Sequence, residues 1–372
     1  MSGPSAIPPV QDGTLRVYRL FDVADAVDLV RADALAQGPA ARLRLEGVHS
    51  GAAVQIPRPP LHLALGQRQV PLGSGTREAE ASIHLFEYGV ASVLYKIRIP
   101  PGTALESLVP LAEELAVLPT PALDAAARRE AALVCAALGP ALERPHDWDG
   151  LETYHVFFVR SFERPVEARE VLAGAPLARL LLGENGAVPL SASEQEDVLK
   201  HHFSYLCDDL AVVDWNSAFC LEPSGVSDIP DLLEFATAHL LELRYYDALL
   251  DRELHSIYDE MEQRRALPEM FTRRHARLLR RTAALLLELS EMIERLDNGV
   301  RIVGDFYLAR LYQAAVRRFR LPAWQEDVLR KQRLLADVHR LLNDAADVRR
   351  AELLEVTIIL LILWEILWAL LR

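Results

Sequence analysis

The densest group of side chains able to do chemistry is His201-His202, followed by Cys207, Asp208 and Asp209. Imidazole, thiolate and carboxylate are ligands a divalent metal takes, so a helix end meeting a strand here would gather them around one ion. Adjacent histidines point in different directions, however, and the step to Cys207 matches no standard site. The competing reading is a helix-to-strand junction with the aspartates at a turn and Cys207 in the core. A second group, Arg244, Asp247 and Asp251, lies in a helical pattern. Asp247 and Asp251 are one turn apart and share a face, which suits an acid/base pair or a cation site; a salt-bridged face is the alternative. With Asp208, Asp209 and Asp214, these residues are the candidates for a catalytic or small-ligand site between an N-terminal body and the helices that follow. No motif implies a cofactor. Arg273, Arg274, Arg277, Arg280 and Arg281 recur on one side of a helix and could meet phosphate, that of anionic lipid above all, or pair with acidic neighbours.

The segment Ala351 to Arg372, AELLEVTIILLILWEILWALLR, is apolar apart from Glu355 and Glu365. As a helix, Leu353 to Leu371 rises roughly 28 Å, near the thickness of a bilayer core, so the expectation is a transmembrane helix with Trp364 and Trp368 among its membrane or subunit contacts. Arg349 and Arg350 precede it, and the stretch from Glu262 to Arg350 holds 19 Arg and Lys against 12 Asp and Glu. Positive charge beside a span marks the cytoplasmic side, which gives a single-pass protein of the inner membrane with a cytoplasmic body. A carboxylate at Glu365 is costly in lipid, so Glu365 and the small Ala369 are expected to face another copy of the helix, making it an oligomerisation element. The alternative is an oligomer that buries this helix between subunits.

The remaining sequence sets the frame. Three isolated cysteines (Cys135, Cys207, Cys220) exclude a disulfide scaffold and a zinc knuckle, and the first residues, MSGPSAIPPV, lack a secretory pattern. A net charge of -13 argues against nucleic acid as a partner. Lysine occurs only at 96, 200 and 331, a usage expected of a GC-rich bacterial genome. Residues 1–13 read as a disordered leader and 14–225 as an α+β domain. Within it, Leu15 to Phe21 is a strand, and Val23 to Ala36 is a helix. LHLAL and QVPL are short strands among proline-rich loops, and Ser82 to Pro100 is two strands divided at Gly89. Thr103 and Glu106 are spaced as a capping box, with Pro110 a weakness in the helix that follows. Glu152 to Phe162 is a strand, and Leu210 to Val213 with Ala218 to Leu221 is a hairpin. From 226 to 350 the pattern is a helical hairpin or bundle. Leu278, Thr282, Leu285, Leu289, Met292 and Leu296 form a seam, while Lys331 interrupts the one running from Val328 to Leu342.

The blocks LLELRYYDALLDRELHSIYDE from Leu240, FYLARLYQAAVRRFRLPAWQEDVLRKQRLLADVHRLLND and RRAELLEVTIILLILWEIL resemble the required-for-meiotic-nuclear-division (Rmd, sporulation-associated) family. Arg349-Arg350, Leu354-Glu355 and Glu365 match its charged pair, Leu-Glu dipeptide and second glutamate, and Phe86 to Leu94 is similar to its aromatic-Tyr-Gly strand. The resemblance implies an α+β domain, a helical segment, a membrane anchor, oligomers and no established enzymatic activity. The expectation is therefore a membrane-anchored oligomeric scaffold or adaptor, the alternative an enzyme or sensor with its site between body and helices.

Overall fold

The structure, a computed structural model, describes residues 7–36, 40–43, 45, 56, 58–73, 75–117, 119–174, 176–186, 188–263, 271–299 and 306–370. The strands are β1 (Val10–Asp22), β2 (Ala24–Val27), β3 (Ala40–Arg42), β4 (Leu61–Leu72), β5 (Gly75–Leu85), β6 (Val90–Ile99), β7 (Leu142–Pro145), β8 (Glu152–Phe162), β9 (His202–Phe203), β10 (Leu210–Val213) and β11 (Ser217–Leu221). The helices are α1 (Leu29–Leu35), α2 (Val109–Ala116), α3 (Pro121–Ala137), α4 (Ala168–Leu172), α5 (Pro176–Leu182), α6 (Ala192–Leu199), α7 (Asp228–Gln263), α8 (Phe271–Gly299), α9 (Phe306–Arg318) and α10 (Leu321–Leu370). The chain divides into two compact units, Met1–Tyr245 with Arg295–Trp324, and Tyr246–Glu294 with Gln325–Arg372.

The first unit is α+β. Its nine described strands run in the order β3-β4-β5-β6-β1-β8-β11-β10-β9, and every pairing is antiparallel except β8 with β11. β1 lies at the centre and is buried on both faces, which is why LRVYRLF reads as a nearly continuous apolar run rather than an alternation. On one face Leu15, Val17, Phe21, Tyr95 and Phe157 meet α2, α3 and α5 in a single hydrophobic core. Arg19 projects into that core and is fully satisfied there. Its Nε donates to Asp124 at 2.7 Å, Nη2 to Thr120 Oγ1 at 2.8 Å and Nη1 to the Tyr18 carbonyl at 2.9 Å. The other face carries Tyr18, Leu20, Tyr154 and Phe158 with the early turns of α7, where Phe86 meets Phe235 edge-on at 5.1 Å and Tyr154 meets Phe319 at 5.3 Å.

Several local expectations change. Only the second half of Val23 to Ala36 is helical, because Asp28 caps α1 by accepting from Val30 N and Arg31 N at 3.1 and 3.0 Å, leaving Ala24–Val27 to pair with β7. LHLAL and QVPL are parts of one strand, β4, which absorbs an irregularity between Ala64 and Gly66. No capping box joins Thr103 and Glu106; Thr103 Oγ1 donates to the Pro100 carbonyl at 2.5 Å, and Pro110 lies in the first turn of α2, where its missing N–H costs nothing. β1 begins at Val10, inside the expected leader, of which residues 1–6 lie outside the described residues. At Gly89 the turn between β5 and β6 has φ of 95°, and a Cβ would stand 1.7 Å from the Ala24 carbonyl oxygen, so only glycine fits.

The second unit is helical: α7 from Tyr246, α8 and α10 from Gln325. Leu278, Thr282, Leu285 and Leu289 of the expected seam are buried, while the side chains of Met292 and Leu296 lie outside the described ones. Thr282 meets His339 Nδ1 at 2.7 Å, and Arg281 donates to Glu253 at 2.6 Å.

The expected transmembrane helix is not found: among the described residues no helix is long and apolar enough to cross a membrane. The apolar segment is the end of α10, which runs to Leu370, and its described side chains are those from Leu354 to Trp368. Its twelve large apolar side chains are between 50% and 69% exposed, so each is open over half of its surface or more. The side chains of Arg349, Arg350 and Ala369 lie outside the described ones.

Candidate functional site

Under the first turns of α7, the sheet carries charge where a core would carry hydrocarbon. His62 on β4, His84 on β5 and Ser92 on β6 stand side by side in register; two residues along lie Ala64, Ser82 and Leu94; beyond them Glu80 pairs with Lys96, which pairs with Arg16 of β1. Strand alternation puts all of these on one face. α7 adds Asp231 and Glu234. His84 is buried, and its Nδ1 lies 2.8 and 2.7 Å from the two oxygens of Glu234, itself 1% exposed. His84 Nε2 lies 2.8 Å from His62 Nδ1. The result is a hydrogen-bonded chain, carboxylate to imidazole to imidazole, running from the interior to the half-buried His62.

Electrostatics assigns the protons. Burial pulls the His84 pKa down, but the carboxylates of Glu234 and Asp231 outweigh it and hold the value above the ordinary one. Burial, with the charges of His84 and Lys96, lowers His62 to about 4. Burial raises Asp231 to about 6 against the pull of Arg16 and His84. His84 is thus the imidazolium and donates from both nitrogens, while His62 is neutral. Arg16 donates to Ser227 Oγ at 3.0 Å and stacks on Phe158 at 4.1 Å; its Nε and Nη1, and the hydroxyls of Ser82 and Ser92, are buried without a hydrogen-bond partner.

A second cluster closes the other end of β1. His146 Nε2 lies 2.8 Å from Asp22, Nδ1 lies 3.4 Å from Asp25, and the ring stacks on Tyr245 at 4.5 Å. Burial raises Asp22 to about 6; for His146 burial is outweighed by the hydrogen bonds it donates to both aspartates, which raise it to about 9. With both nitrogens engaged, this imidazolium has no lone pair for catalysis. It ties the end of β7 to β1.

The residues singled out by sequence do not converge. Asp208 and Cys207 are exposed, which removes Cys207 from the core reading as well; Asp209 is buried and accepts from Tyr205 N and Leu206 N at 2.7 and 3.0 Å, shaping a turn. His202 Nδ1 donates to the Leu199 carbonyl at 2.7 Å, and His201 is half-buried. Among the described residues no group of three or more His, Cys, Asp or Glu is placed to hold a metal. His202 does line an open depression of about 580 Å³ with Ser193, Glu196, Asp197 and Lys200. Asp214 is fully buried and neutralised by Arg318, whose Nη2 lies 2.7 Å away and whose Nη1 reaches Asp197 at 2.9 Å. Arg244 pairs with Glu152 and faces Trp324. Asp247 and Asp251 do share a face, and Lys331 Nζ bridges them at 2.7 Å each. In the arginine series, Arg277 is exposed, Arg281 is committed to Glu253, and the side chains of Arg273 and Arg274 lie outside the described ones.

Sequence reasoning passed over His62, His84 and Glu234. The available signal was an alternation, Glu80-Ser82-His84, of polar residues on what becomes an inward face, together with Asp231 and Glu234 one turn apart in an otherwise apolar helix start.

Comparison with known proteins corrects the family expectation. Residues 12–228 match the family described as "Uncharacterized protein MJ0711, N-terminal domain". The uncharacterized protein MJ0711 of Methanocaldococcus jannaschii is 26% identical over 204 residues, covering 52% of this chain and 58% of that protein. No solved structure matches. The match lies in the sheet-bearing half, whereas the resemblance to the Rmd family rested on Leu-rich helices, whose composition any apolar helix shares, and in that half on Phe86 to Leu94 alone. The relative is archaeal, and the expected bacterial origin has no support.

Proposed function

The chain belongs to the MJ0711 N-terminal-domain family, whose description carries no activity, and on that premise we propose from the chain's own geometry that it is a self-assembling scaffold. The observation that carries this reading is the end of α10: between Leu354 and Trp368 its twelve large apolar side chains are each at least half exposed. A helix hydrophobic all round belongs in an interior. Glu355 and Glu365 are tolerated better among other helices, where they can share a proton or a partner, than in lipid. The occupant argued for is therefore a second copy of the same helix. Covering the open half of twelve large side chains is worth about 1 kcal/mol each, a total within the roughly 4–15 kcal/mol that association costs, so additional helix contact would tip the balance toward assembly. Within the first unit, the commitment of Asp209 to a turn, Asp214 to Arg318 and Arg244 to Glu152 supports a presenting body over a catalytic one.

The test is proximity between copies. In a chain with Cys207→Ser, since that thiol is exposed, Leu361→Cys should crosslink chain to chain with a short bismaleimide, and Leu133→Cys, exposed in α3, should not. Equal crosslinking at both positions, or none at 361, contradicts the reading; capture of the uncrosslinked chain by lipid vesicles identifies a bilayer as the cover instead.

A further inference from the structure

The exposed apolar side chains of α10 do not begin with the tail. Upstream, in the part of α10 that belongs to the helical unit, Leu334 is 45% exposed, Leu341 61% and Val348 58%. Steps of seven put all three on one face of the helix. It is not the face that α10 packs inside its own unit, where Val328, Leu335 and Leu342 are buried. The stripe is also narrow. Along one side of it stand the exposed Arg333 and Asp344 and the Arg340–Asp337 ion pair, at 3.3 Å; on the other stands Lys331, spent on Asp247 and Asp251 of α7. A lipid surface needs a broad apolar face, whereas a single row of apolar side chains between charged rows has the dimensions of a seam between two helices.

The same step carries into the tail. Seven residues beyond Val348 stands Glu355 and seven further Ile362, while Ile359 and Ile366 each follow four residues after a member of the series. Ile359, Ile362 and Ile366 are 50%, 51% and 51% exposed. The sequence breaks the apolar run at Glu352 and Glu355 and then resumes it. A repeat of seven on a helix of 3.6 residues per turn keeps facing one partner when the two wind into a left-handed supercoil. Stem and tail are therefore two lengths of one seam.

We propose that the stem stripe Leu334–Leu341–Val348 is part of the contact between copies, the α10 helices of two chains lying parallel and in register from Leu334 through the tail as one coiled coil. This rests on the scaffold reading and adds to it a second surface and an orientation. The orientation follows from coverage. In a parallel pair Leu334, Leu341 and Val348 each meet their own counterparts, so stem and tail are covered together. An antiparallel pair centred on Leu361 covers the tail but leaves Leu341 about 60 Å from its counterpart and the stem stripe open. Parallel pairing also sets Glu355 against its counterpart. A polar residue within such a seam lowers affinity and fixes the register.

The experiment uses the 372-residue chain with Cys207→Ser. Leu341→Cys should crosslink chain to chain through a short bismaleimide, and Asn343→Cys, exposed on the opposite face of the same turn, should not. Sedimentation equilibrium of the uncrosslinked chains gives their mass and association constant. Leu334→Gln with Leu341→Gln, both at exposed positions outside the core of the unit, should weaken association about tenfold with circular dichroism retained. Glu355→Gln should tighten it about threefold by removing a like-charge contact. In an antiparallel pair centred on Leu361 that carboxylate lies about 18 Å from its counterpart, beyond a Debye length, and the replacement changes nothing. An oligomer in which Leu341→Cys fails to crosslink, or whose association Glu355→Gln leaves unchanged, overturns the parallel seam while assembly through the tail stands. A mass of one chain at the highest concentration overturns both.

Discussion

Lys331 is the one lysine of the helical unit, and it occupies a position where the α10 seam calls for an apolar side chain. Its ammonium bridges Asp247 and Asp251 at 2.7 Å each, with side-chain exposures of 15% for Lys331, 18% for Asp247 and 51% for Asp251. Lys331→Met keeps the packed stem and deletes the charge, leaving two carboxylates one turn apart with no counter-ion. Breaking a fully buried pair costs about 3–5 kcal/mol; the half-open Asp251 can rehydrate, so the loss here should be about 2 kcal/mol. Asp247→Asn alone should cost about 1 kcal/mol, and the double variant should cost less than the two added, with a coupling of about 1 kcal/mol. Urea unfolding followed by far-UV circular dichroism measures all three. Had Asp247 and Asp251 formed an acid/base pair, Asp247→Asn would relieve repulsion and stabilise the chain. A Lys331→Met effect below about 0.5 kcal/mol, or no coupling, refutes the ion-pair assignment.

Two further outcomes follow from buried charge. Arg318→Met strands the fully buried Asp214 carboxylate and should destabilise the α+β unit by about 3–5 kcal/mol, read as a drop in its melting temperature; a change within 1 kcal/mol would contradict the role given to this pair. Stability should peak near pH 6.5. The raised His146 value means its contribution is complete below 6.5 and disappears as pH climbs through about 9, a loss of about 1–2 kcal/mol after allowing for partial exposure. On the acid side, burial holds His62 and His239 near 4 and His155 near 3, so they must be protonated as pH falls below 6.5, again at the expense of the fold. His146→Asn should make the alkaline limb shallower, leaving the part that His84 contributes, as seen in denaturation midpoints across pH.

What the sequence carries well is what is local. β8, β10 and the second half of the hairpin fall where apolar runs meet Asp214-Trp215-Asn216 and the Gly89 turn divides its two strands, because turn chemistry and alternation are written within a few residues. Val23 to Ala36 misleads because VADAV satisfies both periods and the deciding event is the Asp28 cap, whose side chain accepts from Val30 N and Arg31 N and starts the helix only there. The relay from Glu234 through His84 to His62 spans 150 and 22 residues, and no local pattern records such a pairing. Lys331 was visible as a flaw in a seam, but its partners, 84 residues away in the case of Asp247, were not. The apolar tail was legible as a surface needing cover; composition alone could not say whether lipid or another helix supplies it.

The central claim is that the chain assembles through the exposed apolar end of α10, and its most direct measurement is the mass of this 372-residue chain by sedimentation equilibrium over a range of concentrations. Wild-type protein should sediment as a discrete oligomer, and a variant with Ile358, Leu361, Leu363 and Trp364 replaced by glutamine should sediment at the 41.6 kDa of one chain with its circular dichroism retained. A wild-type mass of one chain at the highest concentration, or an oligomer that survives the four replacements, would contradict the account.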